Sequence, residues 1–202
     1  MLLNFINHQR LLITKYKGKR LIIDTGSPMS FLDSIMGQDP AEYSQKLGAK
    51  VDGLMGLDML GDQFTFFKDS VDTGLVVRDA DPIKMQKVFG FPLIEVVVGG
   101  YKLRAIVDTG AQISYVPAKA HPQFGAVFED HSPLLGDFVT EVAPLEFEIG
   151  SKQVTLDTGY MPPALRALTK IQMIDVIIGS ELLDHFIYSV DSPYCYLTAP
   201  EV

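Results

Sequence analysis

Leu11 to Gly26 reads LLITKYKGKRLIIDTG, and 84 residues further on Glu95 to Gly110 reads EVVVGGYKLRAIVDTG, alignable without a gap. Each stretch is a short apolar run, a glycine-bearing turn and a second apolar run that ends in Asp-Thr-Gly. The turn holds Gly18 in the first and Gly99 with Gly100 in the second. Apolar runs on either side of such a turn predict a β-hairpin. The likeness continues beyond the triplet, where Met29-Ser30-Phe31 answers Ile113-Ser114-Tyr115. An internal repeat of this kind predicts a fold built from two related halves.

A second pair of segments follows in the same order. Val51 to Leu60 (VDGLMGLDML) resembles Ile174 to Leu183 (IDVIIGSELL) at an offset of 123, each with two apolar residues before a glycine and a short helical stretch after it. The second half therefore carries 39 additional residues, roughly Ala118 to Lys170. Strand-like runs fill most of the remainder: Phe64 to Phe67, Gly74 to Val77, Leu93 to Val98, Leu145 to Ile149 and Gln153 to Leu156. Only Pro40 to Leu47, Pro163 to Thr169 and Ser180 to His185 read as helical. The expectation is an all-β chain with a few short helices, in an N-terminal lobe over 1–85 and a C-terminal lobe over 86–202, joined near the polar, turn-like Asp79 to Lys87.

Composition narrows the function. The chain has 202 residues, 47% hydrophobic and 21% charged, which is ordinary for a folded globular protein and unlike a disordered one. Its formal net charge is −8, and no Lys/Arg cluster exceeds the short stretch Lys15 to Arg20, so nucleic acid is not expected as a partner. No apolar run approaches the length of a membrane span, so no membrane is expected either. The single cysteine, Cys195, excludes an internal disulfide and a multi-thiolate metal site, and points to a reducing, cytoplasmic setting. His8, His121, His131 and His185 have no metal-ligand spacing. No local Ser-His-Asp or Cys-His motif suggests a covalent nucleophile. Neither a metal nor an organic cofactor is expected.

Four Asp-Thr-Gly triplets begin at Asp24, Asp72, Asp108 and Asp157, where average composition gives about 0.04 per chain. Asp24 and Asp108 each end an apolar run, Leu21-Ile22-Ile23 and Ala105-Ile106-Val107, so each carboxyl would be delivered from a buried strand. Burying a carboxylate is unfavourable unless it is paired or used. Asp72 and Asp157 sit among turn-forming residues and read as structural.

These residues carry a family resemblance. Two Asp-Thr-Gly elements, each followed by an apolar-apolar-Gly element (Leu54-Met55-Gly56 and Ile177-Ile178-Gly179), resemble the aspartic proteases of the pepsin and retropepsin type. Asp108 to Pro117 (DTGAQISYVP) resembles the pattern well and Asp24 to Leu32 (DTGSPMSFL) less so. The resemblance implies a two-lobed acid protease-like fold. It also implies an endopeptidase activity in which Asp24 and Asp108 share one proton and activate water. Thr25 and Thr109 would lock the two loops together through hydroxyl-to-backbone bonds, Gly26 and Gly110 would permit the tight turns, and Gly56 and Gly179 would sit behind the loops. Ser27, opposite Ala111 in the other half, would donate to Asp24 and make it the more acidic member, leaving the shared proton more often on Asp108.

The resemblance also implies a flap over the substrate. Residues 126–142 (AVFEDHSPLLGDFVTEV) supply one, with Pro133, Leu134, Leu135 and Gly136 at the tip, whereas Asp24 and Gly56, 32 positions apart, leave no room for a second. An extended polypeptide would be the substrate. Because both triplets lie in one chain, a monomer would suffice for a complete site. The alternative from another class is a catalytically inactive peptide-binding or scaffolding module that keeps the cleft and leaves the dyad unused.

Overall fold

The computed structural model describes residues 1–121 and 125–200. The first half contains β1 (Leu2–His8), β2 (Leu11–Tyr16), β3 (Lys19–Ile23), α1 (Pro40–Leu47), β4 (Gly53–Met55), α2 (Leu57–Leu60), β5 (Gln63–Phe66) and β6 (Ser70–Thr73). β7 (Ile83–Lys84) lies at the junction, and the second half begins with β8 (Gln86–Val88), β9 (Phe91–Val98), β10 (Tyr101–Val107) and β11 (Ser114–Val116). It continues with β12 (Ala126–Ser132), β13 (Gly136–Ile149), β14 (Lys152–Tyr160), α3 (Pro163–Ile171), β15 (Val176–Ile178), α4 (Leu182–His185), β16 (Ile187–Asp191) and β17 (Tyr194–Thr198). The chain is mostly strand with a few short helices, as the sequence implied.

Two sheets hold these strands. Nine lie in the order β4-β3-β2-β1-β6-β5-β16-β17-β7 and eight in the order β12-β13-β14-β11-β15-β10-β9-β8. The C-terminal hairpin β16–β17 pairs with β5 and β7, setting Val190 opposite Phe64 and Cys195 opposite Ile83. The sheet begun by the first half is thus completed by the end of the chain.

The two hairpins recognised in the sequence occupy equivalent places. β2 pairs with β3 and β9 with β10, both antiparallel. Beside them β4 runs parallel to β3 with Met55 opposite Ile23, and β15 runs parallel to β10 with Ile178 opposite Val107. The unbroken apolar runs ahead of each triplet have a physical cause, because both faces of these strands are covered. Leu21 and Ile23 enter one large core shared by both sheets, as do Ala105 and Val107. Ile22 instead packs into a cluster beneath α1 with Tyr43, Leu47 and Leu54, and Ile106 into a cluster with Tyr115, Ile174 and Ile177.

α1 spans the residues read from the sequence. Asp39 caps it by accepting from the Ala41 N–H at 2.8 Å, Pro40 begins it, and Gly48 ends it in the left-handed region at φ 68°. Three expectations need correction. Gly74 to Val77 forms no strand: the Leu75 carbonyl accepts from the Thr65 hydroxyl and the Val77 N–H donates to Ser189 Oγ, while β5 has β6 and β16 as its neighbours. Asp72 lies in β6 opposite Leu2, and Asp157 lies within β14 opposite Pro144, so both belong to strands and not to turns.

Candidate active site

Each triplet turns away from its strand at the same point. The Asp24 N–H donates to the Met55 carbonyl at 2.9 Å and the Asp108 N–H to the Ile178 carbonyl at 2.8 Å. Behind the loops, the Gly56 N–H donates to Ser30 Oγ at 2.9 Å and the Gly179 N–H to Ser114 Oγ at 3.1 Å. The glycines are required by space: a Cβ on Gly56 would lie 2.6 Å from the Met29 carbonyl oxygen, and one on Gly179 would lie 2.6 Å from the Ile113 carbonyl carbon.

The two loops meet through their threonines. Thr25 Oγ1 donates to the Val107 carbonyl at 2.6 Å and accepts from the Thr109 N–H at 3.0 Å. Thr109 Oγ1 donates to the Ile23 carbonyl at 2.8 Å and accepts from the Thr25 N–H at 3.1 Å. All four bonds are buried and run between the halves.

This arrangement brings Asp24 and Asp108 face to face, each lying over the other loop's glycine. A Cβ built on Gly26 would come 2.3 Å from Asp108 Cγ, and one on Gly110 2.6 Å from Asp24 Cγ. Only glycine leaves room for the opposing carboxyl. Burial, then the charge and proximity of Asp108, hold the Asp24 carboxyl well above the usual carboxylate range. Burial also raises Asp108, but the hydrogen bond with Asp24 and the backbone N–H groups of Gly110, Gly26 and Ala111 oppose that rise. Like charges this close cannot both ionise, so the two carboxyls share one proton. Asp24 Oδ1 is buried without a protein donor, which a neutral carboxyl tolerates better than an ionised one.

The bond expected from the Ser27 hydroxyl to Asp24 is not formed. The Ser27 hydroxyl donates to the Met29 carbonyl at 2.7 Å rather than to Asp24, so it does not stabilise the Asp24 anion. The Ser27 N–H donates to the Asp24 backbone carbonyl at 3.3 Å.

Residues 126–142 form a hairpin of β12 and the first half of β13, with Ser132 opposite Gly136. Pro133 and Leu134 at its tip line one cavity of about 170 Å³ together with Asp24 and Asp108. Apolar side chains form much of the wall, among them Met36, Phe138, Leu165, Leu168 and Ile177. Leu135 and Gly136 complete the turn without lining it. Between Asp24 and Gly56 the chain builds α1 and a tight Ile35–Gln38 turn, with no hairpin over the site.

The sequence reading missed one residue here. Asp130 of β12 lines the same cavity, accepts from the Tyr115 hydroxyl and the His131 N–H, and is raised by burial. An acid in register with Phe128 and Ser132 on the inward side of the expected hairpin was the available signal. Asp72 and Asp157 stand away from the cavity, Asp72 beside the N-terminal ammonium at 3.2 Å and Asp157 beside the Arg10 guanidinium at 3.2 Å. Arg10 also meets Glu181 at 3.3 Å, tying the β1–β2 turn to the second half. No cluster of His, Cys, Asp and Glu among the described residues could hold a metal ion. None of the described helices is long and apolar enough to cross a membrane.

Residues 90–186 match the family model described as retroviral aspartyl protease, which places that segment with the retropepsin-type aspartic proteases. The match contains Asp108, Gly179 and the hairpin over the cavity, while Asp24 lies outside it. No curated protein matches the chain.

Proposed function

We propose, for a chain whose second half matches the retroviral aspartyl protease family, that it is an aspartic-type endopeptidase acting on extended polypeptides through water activated between Asp24 and Asp108. The observation that carries this reading is the reciprocal packing of the two carboxyls over Gly110 and Gly26, beneath a hairpin.

Ionised Asp108 takes a proton from water as the water oxygen adds to the peptide carbonyl carbon. Protonated Asp24 donates to the carbonyl oxygen as negative charge develops there. On collapse the C–N bond breaks, the proton held by Asp108 passes to the departing nitrogen, and Asp24 recovers its proton from the tetrahedral carbon's hydroxyl. Two carboxyls and one water account for every proton moved. The apolar wall formed by Met36, Phe138, Leu165 and Leu168 suits an apolar side chain beside the scissile bond.

Both aspartates come from one chain, so a monomer holds a complete site in this reading. Cys195 is buried and its thiol is pushed up to about 12 by that burial, which leaves it inert and compatible with a cytoplasmic setting. Incubation with an unfolded polypeptide between pH 3 and 7, with and without a statine-type transition-state analogue, tests the proposal. Inhibitor-sensitive cleavage is expected; no cleavage at any pH would favour a binding module with an unused dyad.

A further inference from the structure

The hairpin over the aspartates has no second hairpin to meet, yet its tip is held. Gln38 Nε2 donates to the Pro133 carbonyl at 2.6 Å, directly at the tip. Lys46 Nζ reaches both carboxylate oxygens of Asp137 at 3.1 and 3.3 Å, on the returning strand. The Tyr43 ring packs against the His131 ring with centroids 5.5 Å apart, and His131 Nδ1 lies 2.5 Å from Asp137 Oδ1. All three first-half residues come from one unit, α1 and the turn before it.

That unit is anchored independently of the hairpin. Ile35 and Gln38 exchange backbone hydrogen bonds at 3.1 and 3.0 Å, Ile35 is fully buried, and Tyr43 and Leu47 root α1 in the first-half core. The holding contacts themselves are weak and few. One neutral bond at the tip and one exposed ion pair on the strand can both be broken for a peptide to enter and remade over it.

We infer that Gln38 and Lys46 are positioning residues for the proposed peptidase, and that α1 takes the place of a second flap by clasping the single hairpin closed over Asp24 and Asp108. The inference rests on the proposed peptidase reading for its kinetic consequence, but not for the clasp itself. Closing the hairpin excludes water and holds the peptide backbone against the carboxyls. Gln38 sets where the tip rests, and Lys46 keeps the returning strand against α1.

The deciding variant is Gln38→Glu, which keeps the side chain's shape. A glutamate ionised above about pH 5 cannot donate to the Pro133 carbonyl, whereas protonated below about pH 4 it can. Asp130, His131 and Asp137 on the hairpin and Lys46 on α1 are present in both proteins, so each reading is the variant relative to the wild type at one pH. At pH 6 the amides of 126–142 should exchange with deuterium about 10-fold faster in Gln38→Glu, and kcat/KM should fall about 10-fold, mostly through KM. Both differences should shrink towards none at pH 3.5.

Lys46→Met should give a smaller loss at pH 6 that acid does not restore. Equal exchange over 126–142 in Gln38→Glu and wild type at both pH values would overturn the clasp, whether or not cleavage occurs. Faster exchange at pH 6 in a protein that cleaves nothing would uphold the clasp and overturn the peptidase reading instead.

Discussion

Thr25 and Thr109 hold each other's loops, each hydroxyl accepting the other residue's backbone N–H and donating to a carbonyl of the opposite strand, Val107 for Thr25 and Ile23 for Thr109. The bond between the halves and the placement of the carboxyls are therefore one feature. Thr25→Ala strips the Thr109 N–H and the Val107 carbonyl of a buried partner, which should lower stability by about 2–4 kcal/mol. Thr25→Ser keeps the hydroxyl and should recover most of that loss. Urea unfolding of the three proteins at one pH checks the ordering.

Gly26 and Gly56 should fail differently when changed to alanine. The added Cβ at Gly26 meets the Asp108 carboxyl at 2.3 Å, so the change strikes the site first. A fall in kcat/KM of about 100-fold or more is expected, because small displacements of reacting groups have effects of that size. At Gly56 the Cβ meets the backbone of Met29 at 2.6 Å and cannot be relieved by rotating a side chain, so stability should fall with activity. Paired melting and kinetic measurements separate the two.

The raised Asp24 carboxyl ties stability to pH. The folded state keeps a proton that the unfolded chain releases near its ordinary value of 3.8. The stabilising contribution is thus fully present below that value and is lost as pH rises through the higher folded value. Asp24→Asn, which mimics the neutral carboxyl, should melt higher than wild type at pH 7 and match it near pH 3. Asp108→Asn should gain less at pH 7, because the Gly110 N–H donates to Asp108 Oδ1 at 2.9 Å and favours the anion, whereas Asp24 Oδ1 has no protein donor. Thermal melts across pH 3 to 7 measure both differences.

Ser27→Ala should leave the acidic limb of any pH–rate profile unchanged, since the hydroxyl serves the Met29 carbonyl and not Asp24. A shifted acidic limb would mean that the hydroxyl turns to the carboxyl in solution.

The paired hairpins, the apolar-apolar-Gly elements beside them and the span of α1 were legible because their signals are local. Leu21-Ile22-Ile23 and Ala105-Ile106-Val107 stay apolar throughout because both faces are covered, and Asp39, Pro40 and Gly48 mark the ends of α1. Gly74 to Val77 was misread because a Leu-Val-Val run does not reveal whether a sheet edge is free. The second neighbour of β5 is β16, far along the chain. The direction of the Ser27 hydroxyl depends on its rotamer and on the Met29 carbonyl beside it, which no spacing encodes. Gln38 was illegible for the same reason, since its partner Pro133 is distant in sequence and offers only a backbone carbonyl.

Cleavage of an unfolded polypeptide in ¹⁸O-labelled water, by wild type and by Asp24→Asn and Asp108→Asn separately, tests the central claim most directly. Expected are fragments carrying one ¹⁸O in the new carboxylate, no covalent adduct on the wild-type chain by mass, and cleavage reduced at least about 1,000-fold in each variant. Cleavage surviving in either variant, or an acyl group found on the protein, would contradict a water activated between Asp24 and Asp108.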